Sequence, residues 1–319
     1  MNYRSIGDIS ECIRSNLYKI PQDVDLIVVI PRSGLLAGSV LALNLNIPIV
    51  DLEGFVENRK IKYGQTRPIR NPGIITPKDA KHILVVDDSV WSGKSMTAAV
   101  QLIESANFGS RYTTFAVYVA NRGKGGTDIY FEKVAMPRAF EWNIFHKRTL
   151  EECCVDIDGV LCVDPTDNEN DDGENYKHFL LNARPLMLPS TKIGALVTSR
   201  LEKYRRETQQ WLEMNKIEYH DLVMLDLPDA ATRRRLSIHG KFKAEVYGKY
   251  PGAHLFIESE ARQAIEIAQR SGRSVLCFGD QRVYTPGMSL KAVDSGVRKF
   301  GVRGYSKAKR LFWRVLRHS

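Results

Sequence analysis

A chain of 319 residues is long for one hydrophobic core and comfortable for two domains. Its 43% hydrophobic and 26% charged residues give the composition of a soluble globular protein. The formal charge of +9 fits phosphate-bearing ligands, nucleic acid or an anionic membrane surface and does not choose among them. Cys12, Cys153, Cys154, Cys162 and Cys277 have no C-x-x-C spacing, so core thiols in a reducing compartment are expected, not disulfides or a zinc site. The N-terminus lacks an apolar signal segment, and no run of ~20 apolar residues is long enough to span a membrane.

The first half reads as alternating strands and helices. Leu26 to Ile30 is short, β-branched and apolar, as a buried parallel strand is. It ends in Pro31-Arg32-Ser33-Gly34, a turn that can offer backbone amides and one guanidinium to an anion. A helix of small residues, Leu35 to Leu45, and a strand, Ile47 to Val50, follow. Glu57 to Arg70 holds five basic residues, Gly and Pro, with no apolar period. It reads either as a solvated loop or as a mobile basic lid over a polyphosphate. The run Ile83-Leu84-Val85-Val86 leads into Asp87-Asp88-Ser89-Val90-Trp91-Ser92-Gly93-Lys94-Ser95, and Met96 to Ile103 has helical spacing. Two carboxylates therefore fall at a strand tip, where they can accept hydrogen bonds from vicinal hydroxyls. The loop amides and helix N-terminus face a phosphate. Thr113 to Ala120 is a further strand, and Phe131 to Trp142 is expected to finish the sheet.

This order of strand, Pro-Arg-Ser-Gly turn, basic loop, Val-Val-Asp-Asp-Ser-Val-Trp-Ser-Gly-Lys-Ser and strand resembles a type I phosphoribosyltransferase over most of residues 1 to 145. The resemblance implies that Asp87 and Asp88 bind the ribose 2- and 3-hydroxyls of phosphoribosyl diphosphate. It implies a substrate loop from Ser89 onward, with Trp91, Ser92, Gly93, Lys94 and Ser95 around the 5-phosphate. Arg32, Ser33 and Gly34 correspond to the diphosphate loop, and the basic segment to the flexible loop. Ser92 and Ser95 stand where Thr is more usual, and both keep the hydroxyl. Departure of diphosphate leaves an oxocarbenium-like sugar, so catalysis rests on positioning and on charge neutralisation by Mg²⁺ and basic groups. The acceptor is left open.

In the second half, Cys153-Cys154-Val155 runs into Asp156-Ile157-Asp158-Gly159-Val160-Leu161. Alternation along an extended tip points Asp156 and Asp158 to the same side, and Gly159 permits a sharp turn. One carboxylate can attack a phosphoryl group while the other serves as acid and base, with Mg²⁺ between protein and phosphate. This resembles motif I of the haloacid dehalogenase superfamily, and partners follow in that family's order. Ile193 to Val197 is a strand ending in Thr198-Ser199-Arg200, where Thr198 matches the hydroxyl that bonds the phosphoryl group. Lys243 matches the expected lysine, with Lys241 in reserve. His254 to Ile257 is a strand ending in Glu258-Ser259-Glu260, where the family has aspartates; Glu258, and Glu260 as a further candidate, supply hard oxygens for the metal beside Asp156 and Asp158. Ser274 to Phe278 is expected as a last parallel strand. The six acids between Asp164 and Glu174 read as a polar flap loop or a metal cluster. The short spacing from Asp158 to Thr198 leaves no room for a large cap, which suits a large or surface-bound phosphate ester.

Tyr305 to Ser319 has five basic residues and no acid, with Ala308, Leu311, Phe312, Val315 and Leu316 at helical spacing. It reads as a helix docked on its own domain or as an in-plane anchor on anionic lipid, not as a nucleic-acid binder. The fold class expected is α/β, with two mostly parallel sheets flanked by helices. The domains expected are 1–148, a phosphoribosyltransferase, and 151–304, a phosphatase with minimal cap, followed by the basic tail 305–319. The resemblances imply transfer of 5-phosphoribosyl from phosphoribosyl diphosphate to an acceptor, here a lipid-linked glycan, and then loss of the 5-phosphate. A nucleobase acceptor and a ligand-sensing regulator are the alternatives. The location expected is cytoplasmic, with peripheral contact at the inner face of the membrane.

Overall fold

The computed structural model describes residues 1–64, 68, 70, 72–120 and 126–288. The chain divides into two compact units, Met1–Trp142 and a second that begins at Asn143. The tail 305–319 lies outside the described residues. Among the described residues, no helix is long and apolar enough to cross a membrane.

The first unit runs β1 (Asn2–Arg4), α1 (Ile6–Asn16), β2 (Leu26–Val29), α2 (Ser33–Leu45), β3 (Ile49–Asp51), α3 (Leu52–Val56), β4 (His82–Val90), α4 (Lys94–Ala106), β5 (Arg111–Val119), β6 (Ile129–Lys133) and β7 (Arg138–Phe140). Five strands form a parallel sheet in the order β3-β2-β4-β5-β6. Strand alternation divides its apolar residues between two cores. Ile27, Val29, Leu84 and Val86 pack on one face with Ile9, Ile13 and Leu41 of α1 and α2. Leu26, Val28, Ile83 and Val85 pack on the other with Met96, Ala99 and Ile103 of α4. Burial on both faces is why these strands read as unbroken apolar runs.

Two expectations change here. Of the 131–142 region only residues 131–133, the end of β6, join the large sheet, while β7 pairs with β1 in a separate parallel ribbon. Pro137 precedes β7 and has no amide to extend a ladder; its carbonyl instead accepts from Asn2 N at 2.8 Å. The basic segment after α3 is also not simply a solvated loop. Ile61 is buried and bonds Ile75 through the backbone, and the Tyr63 hydroxyl donates to Ile74 O. Arg59 is ion-paired to Asp51, Glu53 and Glu57. Residues 65–67, 69 and 71 are not described.

The second unit runs β8 (Cys153–Val155), α5 (Glu174–Asn182), β9 (Ile193–Leu201), α6 (Arg205–Met214), β10 (Tyr219–Leu225), α7 (Ala230–Leu236), α8 (His239–Lys249), β11 (Leu255–Glu258), α9 (Ala261–Ser271), β12 (Val275–Cys277) and β13 (Arg282–Tyr284). Its sheet has the order β10-β9-β8-β11-β12-β13. All neighbours are parallel except β13, an antiparallel edge on β12, so β12 is the last parallel strand, as expected. Strand β8 sits centrally, between β9 and β11. Cys154, Phe256, Val197 and Tyr247 anchor a core closed by Ala264, Ile265 and Ala268 of α9. All five cysteines are free thiols.

Candidate active sites

In the first unit the acids lie within β4, which continues through Ser89 to Val90 and pairs with β5 along that stretch. Asp87 is half-buried and Asp88 is 4% exposed. The Asp88 carboxylate accepts from Trp142 Nε1 at 2.7 Å, and its amide donates to Asp87 Oδ1 at 2.8 Å. Arg138 is buried nearby, with Nη2 on the Val90 carbonyl at 3.1 Å. Neither Trp142 nor Arg138 was singled out from sequence. Each lies about fifty residues from the acids, and Trp142 carries only the signal of an aromatic after a β-branched-poor run.

The Pro-Arg-Ser-Gly turn is brought onto the acids by close backbone packing. Arg32 and Ser33 open α2, and Arg32 is exposed. A Cβ on Gly34 would stand 2.8 Å from Val86 O and 3.4 Å from Asp87 Cα. Only glycine allows the helix start to approach the acid-bearing strand this closely. The peptide bond between Pro31 and Arg32 is cis. Beyond Val90, Trp91 and Ser92 are exposed, Gly93 (φ 78°) caps α4, and Lys94 and Ser95 are exposed in its first turn. Among the described residues no side chain caps α4, which leaves the first amides of the helix as donors for an anion. The structure thus gathers Arg32, Ser33, Gly34, Asp87, Asp88 and the segment from Ser89 to Ser95 around the ends of β2 and β4.

Residues 2–150 match the family model described as "Phosphoribosyl transferase domain". The first unit carries a phosphoribosyl transferase domain. Among solved structures, a purine phosphoribosyltransferase from Pyrococcus horikoshii shares 18% identity over 44% of this chain and 92% of its own, with a TM-score of 0.32. The xanthine-guanine-hypoxanthine phosphoribosyltransferase of Helicobacter pylori shares 16% over 45% of this chain and 95% of its own, with a TM-score of 0.32. An adenine phosphoribosyltransferase from Thermoanaerobacter pseudethanolicus shares 20% over 40% and 80%, at a TM-score of 0.28. No curated protein matches the chain.

In the second unit, Asp156 follows β8 and is 4% exposed. Its Oδ1 accepts from Ile157 N at 2.9 Å, and its Oδ2 from Lys243 Nζ at 2.7 Å. Lys243, in α8, also reaches Glu258 Oε2 at 2.7 Å, from the end of β11. Lys241, by contrast, is exposed and pairs only loosely with Glu245 at 3.9 Å. Burial raises the Asp156 pKa well above the ordinary carboxylate range; Lys243 opposes this, and Glu258 and Asp158 add to it. Burial also opposes the charge on Lys243, but Asp156 and Glu258 together outweigh it and raise its pKa.

Asp158 faces the same cavity but is held by Arg200, which donates from Nη2 at 2.7 Å and from Nε at 3.2 Å. Arg200 is fully buried, and its alkyl-to-guanidinium length spans from β9 to the loop after β8. No local pattern in the sequence marks Arg200 for this role. Thr198 lies inside β9, not after it. It is fully buried, and its hydroxyl accepts from Arg200 N at 3.2 Å. The hydroxyl in the cavity wall is that of Ser199. Gly159, at φ 73°, would place a Cβ 2.5 Å from Ser259 Cβ, so it turns the chain and admits the β11 end at once. Glu260 is exposed and bonds Gln263.

Asp156 and Glu258 converge, whereas the Asp158 carboxylate is turned to Arg200. Among the described residues, no three His, Cys, Asp or Glu side chains meet as a metal cluster. Asp156 and Glu258 meet at Lys243 Nζ, each at 2.7 Å, and Glu258 is fully buried, so the ammonium holds the position between the two carboxylates. The acidic run before α5 is instead spent on local structure. Asp171 accepts from Gly173 N and Tyr176 N, and Asp172 holds Lys203, Tyr204 and Ala230 N.

Proposed function

We propose that the chain is a two-step ribosyl transferase. The first unit transfers 5-phosphoribosyl from phosphoribosyl diphosphate to an acceptor, and the second hydrolyses the 5-phosphate. The observation that supports the first step is the seating of Gly34 against Val86 and Asp87, which sets a diphosphate-facing turn beside two sugar-binding acids. Asp87 and Asp88 accept from the ribose hydroxyls, and Trp142 orients Asp88 from behind. The amides at the start of α4 hold the 5-phosphate, and Arg32 faces the diphosphate. Positioning and charge neutralisation then favour loss of diphosphate from C1 as the acceptor oxygen bonds there, its proton passing to solvent.

The second step rests on a central strand that ends in Asp156, flanked by strands that bring Thr198 to one side and Glu258 to the other. In this reading, which follows the haloacid dehalogenase resemblance, an Asp156 oxygen attacks phosphorus and the bond to the sugar oxygen breaks. Asp158, with Arg200 positioning it, gives that oxygen a proton. Water then attacks the aspartyl phosphate, returns a proton to Asp158, and releases inorganic phosphate. Lys243 holds Asp156 in place and opposes its protonation.

A glycan acceptor, lipid-linked and reached at a membrane surface, suits a second site without a large cap, and a nucleobase acceptor is the competing choice. The test is diphosphate release from phosphoribosyl diphosphate in the presence of lipid-linked glycans or free bases. Release that depends on a glycan supports the reading, and release that depends on a base replaces it. Release with neither, or none at all, rejects it.

A further inference from the structure

The cavity beside Asp156 has a volume of about 150 Å³ and is lined by Asp156, Ser199, Arg233, His239 and Lys243, among others. At ~30 Å³ per water, that is room for a tetrahedral anion, with the rest of an ester outside. Its cations are unequally committed. Arg200 is paired to Asp158, and Lys243 to Asp156 and Glu258. Arg233, in α7, is 8% exposed and has no ion pair among the described residues. Its Nη1 donates to Ser199 O at 3.0 Å and its Nη2 to Asn170 Oδ1 at 3.3 Å, both neutral acceptors. Its Nε has no partner, and neither does Ser199 Oγ. Asp158 and Asp164 also line the cavity, yet neither pairs with Arg233 among the described residues, and a buried guanidinium without an ion pair, next to an unsatisfied hydroxyl, is an unfavourable arrangement unless an anion completes it.

The helix that carries Arg233 is held firmly. Asp229 caps it through Thr232 N at 2.7 Å, and Asp172 accepts from Ala230 N at 2.9 Å. The guanidinium is therefore presented to the cavity before any ligand arrives.

We propose that Arg233 Nε and Ser199 Oγ bind the non-bridging oxygens of the phosphate in this cavity. This rests on the phosphomonoesterase reading of the second unit. Arg233 thereby sets affinity for the phosphate dianion, while Lys243 serves Asp156.

The test uses the full chain with Mg²⁺, ribose 5-phosphate as substrate and inorganic phosphate as ligand. Calorimetric binding of inorganic phosphate is measured alongside hydrolysis. Arg233→Met should raise KM and weaken phosphate binding together by about 10-fold or more, with kcat changed less. Arg233→Lys should recover part of the loss, and Ser199→Ala should weaken phosphate several-fold. A folded Arg233→Met with wild-type KM and phosphate binding overturns the proposal. If the Arg233 variants do not fold, unchanged phosphate binding by Ser199→Ala overturns it instead. Phosphate binding that depends on Arg233 without any hydrolysis leaves this proposal standing and removes the phosphatase reading. A wild-type chain that binds no phosphate removes both.

Discussion

Two acid pairs, one in each unit, are treated in opposite ways by the fold. Asp88 is buried with a hydrogen bond from a neutral donor, the Trp142 indole, and with the Arg138 guanidinium near it but not paired to it, while its neighbour Asp87 is half-buried at the strand surface. Asp156 and Asp158 are each clamped by a cation at 2.7 Å, Lys243 for one and Arg200 for the other. Under the proposed function, the difference follows from what each pair would meet. Sugar hydroxyls are neutral donors, and a carboxylate waiting for them needs orientation more than neutralisation. A phosphoryl group is anionic, and carboxylates that face it from a dry interior are tolerable only with fixed positive charge beside them. One pair is arranged to accept hydrogen bonds, the other to approach like charge.

Breaking the second pair should have the largest effect. Lys243→Met leaves Asp156 and Glu258 buried without a cation, and removal of one partner of a buried pair costs about 3–5 kcal/mol. Chemical denaturation should show the second unit losing that much while the first keeps its midpoint. In the first unit, Asp87→Asn with Asp88→Asn should leave the fold intact and lower diphosphate release on the order of 100-fold, from two lost charge-assisted bonds. Equal thermal melting of variant and wild type would separate this from unfolding. Gly34→Ala tests the close approach, since its Cβ would meet Val86 O at 2.8 Å. A loss of roughly 1–3 kcal/mol in phosphoribosyl diphosphate affinity or in stability is expected, read by calorimetry and melting. Trp142→Phe removes one neutral donor from Asp88 and should weaken sugar binding by about 1 kcal/mol.

The smallest effect concerns His239, whose pKa is lowered from 6.5 by burial, with Arg233 and Lys243 adding to it. A depressed histidine contributes stability that is fully present above its unfolded pKa. That contribution is lost as pH falls through 6.5 toward the folded value, because the unfolded chain takes up the proton first. His239→Gln should therefore flatten the fall in stability of the second unit on the acid side of 6.5, measured by denaturant midpoints across that range.

The parallel strands were legible because double-sided burial leaves unbroken β-branched runs such as Leu26 to Val29 and Ile83 to Val86. Motif spacing singled out Asp87, Asp88, Asp156, Asp158, Lys243 and Glu258, since each belongs to a short local signature. What orients them was not legible. Trp142 reaches Asp88 across 54 residues, and Arg200 reaches Asp158 across 42. Arg233 enters the cavity from a helix whose sequence, rich in arginine, looks like a solvated face. Such contacts depend on topology, and no local period records them. Which of Thr198 and Ser199 faces the cavity was not legible for a related reason. Strand β9 runs on through Leu201, so alternation sends Thr198 inward and Ser199 to the cavity.

The central claim is that one chain loads a phosphoribosyl group and then strips its phosphate. The most direct measurement follows diphosphate and inorganic phosphate by phosphorus NMR during one incubation with phosphoribosyl diphosphate and acceptor. The wild-type chain should release the two in equal amounts. Asp156→Asn should release diphosphate alone and accumulate a phosphoribosylated acceptor. Equal inorganic phosphate from both proteins, or no diphosphate from either, would contradict the account.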